Sequence, residues 1–233
     1  MIARLDHITL DAPDIELLSS FYAELTGWEV TGRTDHWITL TADTGQKIGF
    51  QLAPDHEPPR WPGQERPQQA HLDLVTGDVE VNAERAERLG AVRLAGVPGR
   101  ITLADPAGHP FDLCRRDGAG SAVGLLAVTI DAPDAAALAR FYARILGMEV
   151  VHDGPEASLI SGGGRSIMFQ QVAGYNPPRW PDPARPPQIH LDLDADDADA
   201  ARQALAALGV TRLPGGSEAF RVYADPAGHP FCL

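Results

Sequence analysis

The chain has 233 residues, of which 44% are hydrophobic and 22% are charged, and such a chain forms one or two globular domains. Its formal net charge of −13 repels phosphate backbones, so nucleic acid is not expected as a partner. No stretch approaches the length of a membrane span, and Cys114 and Cys232 do not form the pattern of a disulfide scaffold. We therefore expect a cytoplasmic protein without a membrane partner.

An internal repeat organises the sequence. Five motifs recur in the same order at an offset of 119 or 120 residues: DAPD at 11–14 and 131–134, Phe-Tyr at 21–22 and 141–142, PPRWP at 58–62 and 177–181, HLDL at 71–74 and 190–193, and DPAGHPF at 105–111 and 225–231. The small, glycine-rich segment 115–124 separates the copies as a linker. The sequence predicts two similar domains, at residues 1–117 and 122–233.

The first copy changes between strand and helix patterns along its length. Residues 4–10 alternate in polarity as a strand does, and Pro13 with neighbouring acids marks the start of a helix that ends at Gly27. The elements that follow are predicted as strands near 28–33, 36–41 and 47–52, a proline-rich crossing at 54–69, a strand at 70–76, a helix near 79–90, and strands near 92–95, 100–104 and 110–115. Each copy is therefore predicted as two βαβββ modules, an α+β fold.

Four strands of the first copy are predicted to have one apolar and one polar face, because side chains alternate along a strand. The polar parity holds His7 and Thr9, Gly49 and Gln51, His71 and Asp73, and Asp112 and Cys114. The opposite parity is apolar in each strand and suits packing against the helices.

This order of elements, with Phe-Tyr in the first helix, Leu-Gly at helix ends and Asp-Pro before the last strand, resembles the vicinal-oxygen-chelate superfamily. That superfamily includes glyoxalases, bleomycin-resistance proteins and dioxygenases. PPRWP, HLDL and DPAGHPF resemble in particular its glyoxalase-like members. The resemblance covers nearly the whole chain twice. It implies tandem domains in which paired modules form a curved half-barrel sheet, with helices outside and a ligand pocket on the polar face.

The resemblance also implies where a metal would bind. Its ligand positions hold His7, Gln51, His71 and Asp112 in the first copy. Family members with a metal usually carry His or Gln, then Glu, His and Glu, so Asp112 is one methylene short and Gln51 is a weak, neutral ligand. Imidazole and carboxylate groups suit Zn, Ni, Mn or Fe. We therefore predict His7, His71 and Asp112 as ligands of a divalent metal.

The second copy departs further from this pattern and is predicted to have a degenerate site. Its matching positions hold Ala127, Gln170, His190 and Cys232. The sequence also leaves open whether modules pair within a copy or across the copies. Pairing within the first copy would bring the three predicted ligands together. Crossed pairing would instead place His7 and Gln51 opposite His190 and Cys232, and neither crossed site would have the full set.

The proline-rich crossing carries the same PPRWP motif in both copies. Arg60 and Trp61 match Arg179 and Trp180. Arginine beside tryptophan can wall a pocket and bind a carboxylate or phosphate. The alternative is that tryptophan covers the edge of the core while arginine pairs with a local acid such as Glu65.

Two functions follow as expectations. The first is a metal-dependent lyase or isomerase of an oxygen-bearing metabolite, in which the metal polarises the substrate and Asp112 or a displaced ligand transfers the proton. The second is a metal-free small-molecule binding or drug-sequestering protein, and a metal-free enzyme is a third reading. The substrate-binding residues are predicted as Gln51, Arg60, Trp61, Gln170, Arg179, Trp180 and His190. A monomer or a homodimer is expected.

Overall fold

A computed structural model describes residues 1–180, 182, 188–217 and 219–233. Its elements in chain order are β1 (Arg4–Ala12), α1 (Ile15–Thr26), β2 (Glu29–Thr34), β3 (Trp37–Thr41), β4 (Lys47–Leu52), β5 (Ala70–Thr76), α2 (Val79–Arg88), β6 (Val92–Val97), β7 (Arg100–Ala104), β8 (Pro110–Arg115), β9 (Gly124–Ala132), α3 (Ala135–Leu146), β10 (Glu149–Asp153), β11 (Ala157–Gly162), β12 (Arg165–Gln171), β13 (Ile189–Asp194), α4 (Ala198–Ala207), β14 (Thr211–Arg212), β15 (Val222–Ala224) and β16 (Pro230–Cys232). The two copies have the same order of elements, as predicted. None of the helices in this described part of the chain has the length and apolar character needed to cross a membrane.

The strands form two curved eight-stranded sheets, and each sheet combines halves of both copies. The first sheet has the order β14-β15-β16-β13-β1-β4-β3-β2, and the second has the order β10-β11-β12-β9-β5-β8-β7-β6. At the centre of the first sheet β1 pairs antiparallel with β13, and at the centre of the second β5 pairs antiparallel with β9. The modules therefore pair across the copies.

Crossed pairing corrects the predicted metal-ligand set. His7 lies on β1 in the first sheet, whereas His71 and Asp112 lie on β5 and β8 in the second. The three side chains do not converge, because β13 takes the place beside β1 that β5 would occupy within one copy.

Local sequence determines the helix ends. The Asp14 carboxylate accepts a hydrogen bond of 2.9 Å from the backbone N–H of Leu17, which caps the first turn of α1. Gly27 ends the helix in the left-handed conformation, with φ of 79°. Asp134 and Gly147 play the same parts for α3. The repeated DAPD motif is thus a strand end followed by a helix cap.

The helices cover one face of the sheets and bury the apolar parity of the strands. α1 packs on β3 and β4, α2 on β7 and β8, and α3 on β11 and β12. Phe21 on α1 contacts Phe111 on β8 with ring centroids 5.8 Å apart, so the core is continuous between the two sheets. The face of each sheet turned away from the helices, here called the open face, carries the polar parity.

Candidate functional site

Two adjoining cavities lie on the open face of the first sheet. They have volumes of about 390 and 220 Å³ and share three lining residues, which are Gln51, Phe220 and Cys232. The larger is also bordered by His7, Trp37 and Asp192, and the smaller by Asp11, Trp180 and His190. These volumes suit a small metabolite. We call the smaller cavity the Asp11 cavity.

His190 lies between two carboxylates in this region. Its Nδ1 atom is 3.8 Å from Oδ1 of Asp11, and its Nε2 atom is 3.7 Å from Oδ1 of Asp192. Both distances exceed that of a hydrogen bond. Burial raises the pKa of Asp11 to about 6, although the nearby His190 and His109 act in the opposite direction. Asp192 also accepts a hydrogen bond of 2.5 Å from the Thr9 hydroxyl.

His7 is already engaged by its own module. Its Nδ1 atom is 2.9 Å from Oδ2 of Asp6, and its Nε2 atom is 3.3 Å from the hydroxyl oxygen of Thr39. The ring also meets Trp37 edge to face at 5.4 Å. His7 is therefore held as part of the cavity wall.

A second cluster lies on the open face of the second sheet. Donor atoms of His71, Asp73 and Asp112 lie within 4.8 Å of one another, and all three residues are buried. Nε2 of His71 is 3.6 Å from Asp73 and 4.0 Å from Asp112. Thr129 donates a short hydrogen bond to Asp73, and Thr102 donates one of 2.5 Å to Asp112. Neighbouring strands thus fix both carboxylates.

The electrostatics of this cluster are those of a cation site. Burial alone would lower the pKa of His71, but the Asp73 and Asp112 carboxylates outweigh it and raise the pKa. Nε of Arg100 reaches to 3.5 Å from Asp112 although its side chain remains 53% exposed. The nearby Cys114 is a half-buried thiol, and burial together with Asp73 and Asp112 raises its pKa to about 12. It stays protonated and does not add a thiolate to the cluster.

The donor sets of the two sheets differ in how well they suit a divalent metal. On the first sheet His190, Asp192 and Cys232 also lie within 4.8 Å of one another. Burial and Asp192 raise the pKa of the Cys232 thiol, so a metal would have to displace its proton. The second sheet offers an imidazole whose Nε2 faces two carboxylates, and hydrogen bonds from Thr129 and Thr102 hold these carboxylates in place. The His71, Asp73 and Asp112 set therefore fits a divalent metal better.

The other predicted binding residues separate into two groups. Gln51, Trp180 and His190 border the Asp11 cavity. Gln170 lies on the second sheet, where it donates to Asp131 at 3.3 Å. The two arginines are not among the residues that line these cavities. Arg60 and Arg179 are exposed, and Arg60 lies 3.4 Å from Glu65, which is the local-acid alternative. Trp61 is half-buried in the crossing, and it does not border either cavity of the first sheet.

Four residues that contribute to these sites were not predicted from the sequence. Asp73 shares a parity with His71, and Asp192 shares one with His190, which would have identified both. Asp11 extends the polar parity of His7, but its place in DAPD indicates a helix-start acid, whereas β1 continues two residues beyond the predicted strand end. Phe220 precedes β15 and had no recognisable signal.

Comparisons with known proteins agree with this fold. The model of a glyoxalase-like domain matches residues 7–114 and 127–233. Glyoxalase I from Zea mays is similar over 99% of this chain and 92% of its own, at 18% identity and a TM-score of 0.67. A putative dioxygenase from Bacillus subtilis is similar over 98% of this chain and 84% of its own, at 14% identity and a TM-score of 0.64. A search of curated proteins gave no match.

The paired modules and polar open faces define the chain as a tandem protein of the vicinal-oxygen-chelate superfamily. It belongs to the glyoxalase-like family, whose model matches both copies.

Proposed function

We propose that this chain is a glyoxalase-like small-molecule protein whose ligand, an oxygen-bearing metabolite, binds in the cavities of the first sheet. The observation that carries this proposal is the adjoining pair of cavities of about 390 and 220 Å³ on one open face. Four of the residues that line them, His7, Gln51, His190 and Cys232, occupy positions where the family resemblance implies a site. A small-molecule site of this kind has mostly apolar walls and a few fixed polar groups.

The first sheet supports binding rather than metal chemistry. His7 is held by Asp6 and Thr39, and the Cys232 thiol is kept protonated by burial and by Asp192. Trp180 supplies an apolar wall whose position is fixed, because its indole N–H donates to the carbonyl oxygen of Pro214 at 2.7 Å. A preformed wall of this kind favours binding because little freedom is lost when a ligand enters.

A library of small oxygen-bearing fragments, screened by ligand-observed NMR, tests the proposal. Fragments that bind are expected to lose about tenfold or more in affinity to Trp180→Ala, since the variant removes an aromatic wall. Trp61→Ala is the matched control, because Trp61 occupies the same sequence position in the other copy and does not border the cavities. A library without hits, or equal losses in both variants, would contradict the proposal.

The second sheet supports a second candidate function, that of a divalent-metal lyase or isomerase. The observation that favours it is the buried cluster of His71, Asp73 and Asp112. These residues would hold Zn, Ni, Mn or Fe, and the bound metal would supply Lewis-acid chemistry. Asp112 would then be a ligand, which leaves it unsuited to the role of base predicted from the sequence. Uptake of one divalent cation per chain is the first result that this function requires.

A further inference from the structure

Asp11 and Asp131 occupy the same position in the two copies, but their carboxylates differ in the hydrogen bonds that they accept. Asp131 lies on β9 of the second sheet, and its Oδ1 accepts from Nε2 of Gln68 at 3.2 Å and from Nε2 of Gln170 at 3.3 Å. Two amide groups therefore solvate this buried carboxylate. Buried carboxylates in folded proteins ordinarily have such partners.

Asp11 has no such solvation on the first sheet. It is 4% exposed, and its Oδ1 atom has no hydrogen-bond partner among the described residues. The repeat explains part of the difference, because the sequence position that matches Gln68 is residue 187, a proline without a side-chain N–H. The position that provides a side-chain donor to Asp131 in the first copy therefore holds no such donor in the second copy.

The neighbouring imidazole also lacks a partner. Nδ1 of His190 is buried without a described hydrogen-bond partner and faces Asp11 Oδ1 at 3.8 Å. The other ring nitrogen faces the Asp192 carboxylate at 3.7 Å, so each ring nitrogen of His190 faces a carboxylate beyond hydrogen-bond distance. Asp11 Oδ1 and His190 Nδ1 therefore lie side by side, and the described part of the chain gives neither atom a hydrogen-bond partner.

Both acceptors border the Asp11 cavity of about 220 Å³. Trp180 and Phe220 also line this cavity, and Phe220 is 44% exposed. Among the described lining residues of the two adjoining cavities there is no lysine or arginine, whereas Asp11 and Asp192 are carboxylates. A cavity that combines a carboxylate with aromatic side chains suits a cationic amine, which the carboxylate attracts and aromatic rings stabilise.

Building on the proposed function, we propose that the ligand of the Asp11 cavity carries a protonated amine that donates to Asp11 Oδ1. Its carbon skeleton packs against Trp180 and Phe220, and the amine also lies within reach of His190. An anionic ligand group at this position would be repelled by the buried Asp11. A neutral hydroxyl group would supply a hydrogen bond without the charge attraction, so it would bind more weakly.

Three probes of similar size separate these possibilities. They are 2-phenylethylamine, 2-phenylethanol and 3-phenylpropionate, which differ mainly in charge and are compared at pH 7.5 by ligand-observed NMR titration. The amine is expected to bind about tenfold or more tightly than the alcohol, and the carboxylate is expected to bind most weakly. In Asp11→Asn the advantage of the amine over the alcohol should disappear. The matched variant Asp131→Asn should keep it.

Each outcome bears on the proposal. Equal binding of all three probes, or an amine preference that persists in Asp11→Asn, would overturn the assignment of an amine ligand while leaving the cavity as a binding site. Failure of all three probes to bind, together with a fragment library without hits, would overturn the proposed function and the amine with it. Loss of the amine preference in Asp131→Asn alone would move the amine to the second sheet and overturn the assignment to Asp11.

Discussion

The hydroxyl group of Tyr22 donates a hydrogen bond of 3.0 Å to a carboxylate oxygen of Asp105. Tyr22 lies on α1, which packs on the first sheet, whereas Asp105 lies in the turn between β7 and β8 of the second. The bond therefore joins the two sheets within one sequence copy. Tyr142 and Asp225 form the same bond at 3.0 Å in the other copy.

We expect Tyr22→Phe to lower the free energy of unfolding by about 1–2 kcal/mol, because the buried Asp105 carboxylate loses a donor while the ring is retained. Tyr142→Phe should cause a similar loss through Asp225. Urea denaturation followed by circular dichroism measures both values. A Tyr22→Phe protein as stable as the wild type would show that this bond does not contribute to holding the sheets together.

Metal binding is expected at the second sheet. Isothermal titration with Mn²⁺ or Zn²⁺ should give one bound cation per chain, and the bound cation should raise Tm. We expect His71→Ala to abolish this uptake, and Asp73→Asn to weaken it about tenfold or more, since each variant removes one donor of a three-donor set. His190→Ala changes the matching residue on the first sheet and should leave uptake unchanged. Equal losses in the His71 and His190 variants would contradict the assignment to the second sheet.

Arg100 is expected to weaken the binding of a divalent cation at the second sheet. Its guanidinium lies 3.5 Å from Asp112, where it competes for the carboxylate and repels a positive ion. We expect Arg100→Ala to raise the affinity for Mn²⁺ by about threefold to tenfold, a modest effect because the side chain is half-exposed and screened by solvent. Arg115→Ala, which removes an exposed arginine paired with Asp117, is the control. An unchanged or lower affinity in Arg100→Ala would show that Arg100 does not compete with the metal.

Most elements of the fold could be predicted because local patterns determine them. The Asp14 cap, the Gly27 stop and the alternation in AHLDLVT each depend on a few neighbouring residues. Several predicted strands, including those at 70–76, 100–104 and 110–115, have the bounds that the structure shows.

Module pairing could not be predicted, because both candidate partners of β1 carry the same motif. β5 contains His71-Leu72-Asp73-Leu74, and β13 contains the same four residues at 190–193. Either strand offers β1 the same parity and the same apolar face. The candidate site depends directly on this choice, because His7 would lie on one sheet with His71 and Asp112 only if the modules paired within a copy. In the crossed arrangement, the linker joins two strands of one sheet, β8 and β9, with only β5 between them.

That Oδ1 of Asp11 has no hydrogen-bond partner among the described residues could not be predicted from the sequence either. Its position is the same as that of Asp131 in a repeated DAPD motif, so the two residues look equivalent. Their difference arises from residues far along the chain, because Gln68 donates to Asp131 across an interval of 63 residues. Only the paired modules reveal which carboxylate is solvated.

Asp11 should also reduce the stability of the ligand-free protein near neutral pH. Its pKa is raised by burial from 3.8 to about 6, so the folded state holds this proton more tightly than the unfolded state does. Below pH 4 both states are protonated and the carboxyl group causes no loss. As the pH rises from about 4 to 6, the unfolded state ionises first, and the free energy of unfolding falls.

Asp11→Asn removes this ionisation while it keeps the size of the side chain. We expect the variant to be more stable than the wild type at pH 7.5, by an amount on the order of 2–3 kcal/mol from the raised pKa. The difference should shrink through pH 6 to 4 and vanish below pH 4. Urea denaturation of both proteins at several pH values measures it. A variant that is equally stable at every pH, or less stable at pH 7.5, would show that Asp11 is solvated in the folded protein and would weaken the case for an exogenous donor. An Asp11→Asn variant that is more stable and has also lost its preference for the amine would show that Asp11 destabilises the folded protein and is required for amine binding.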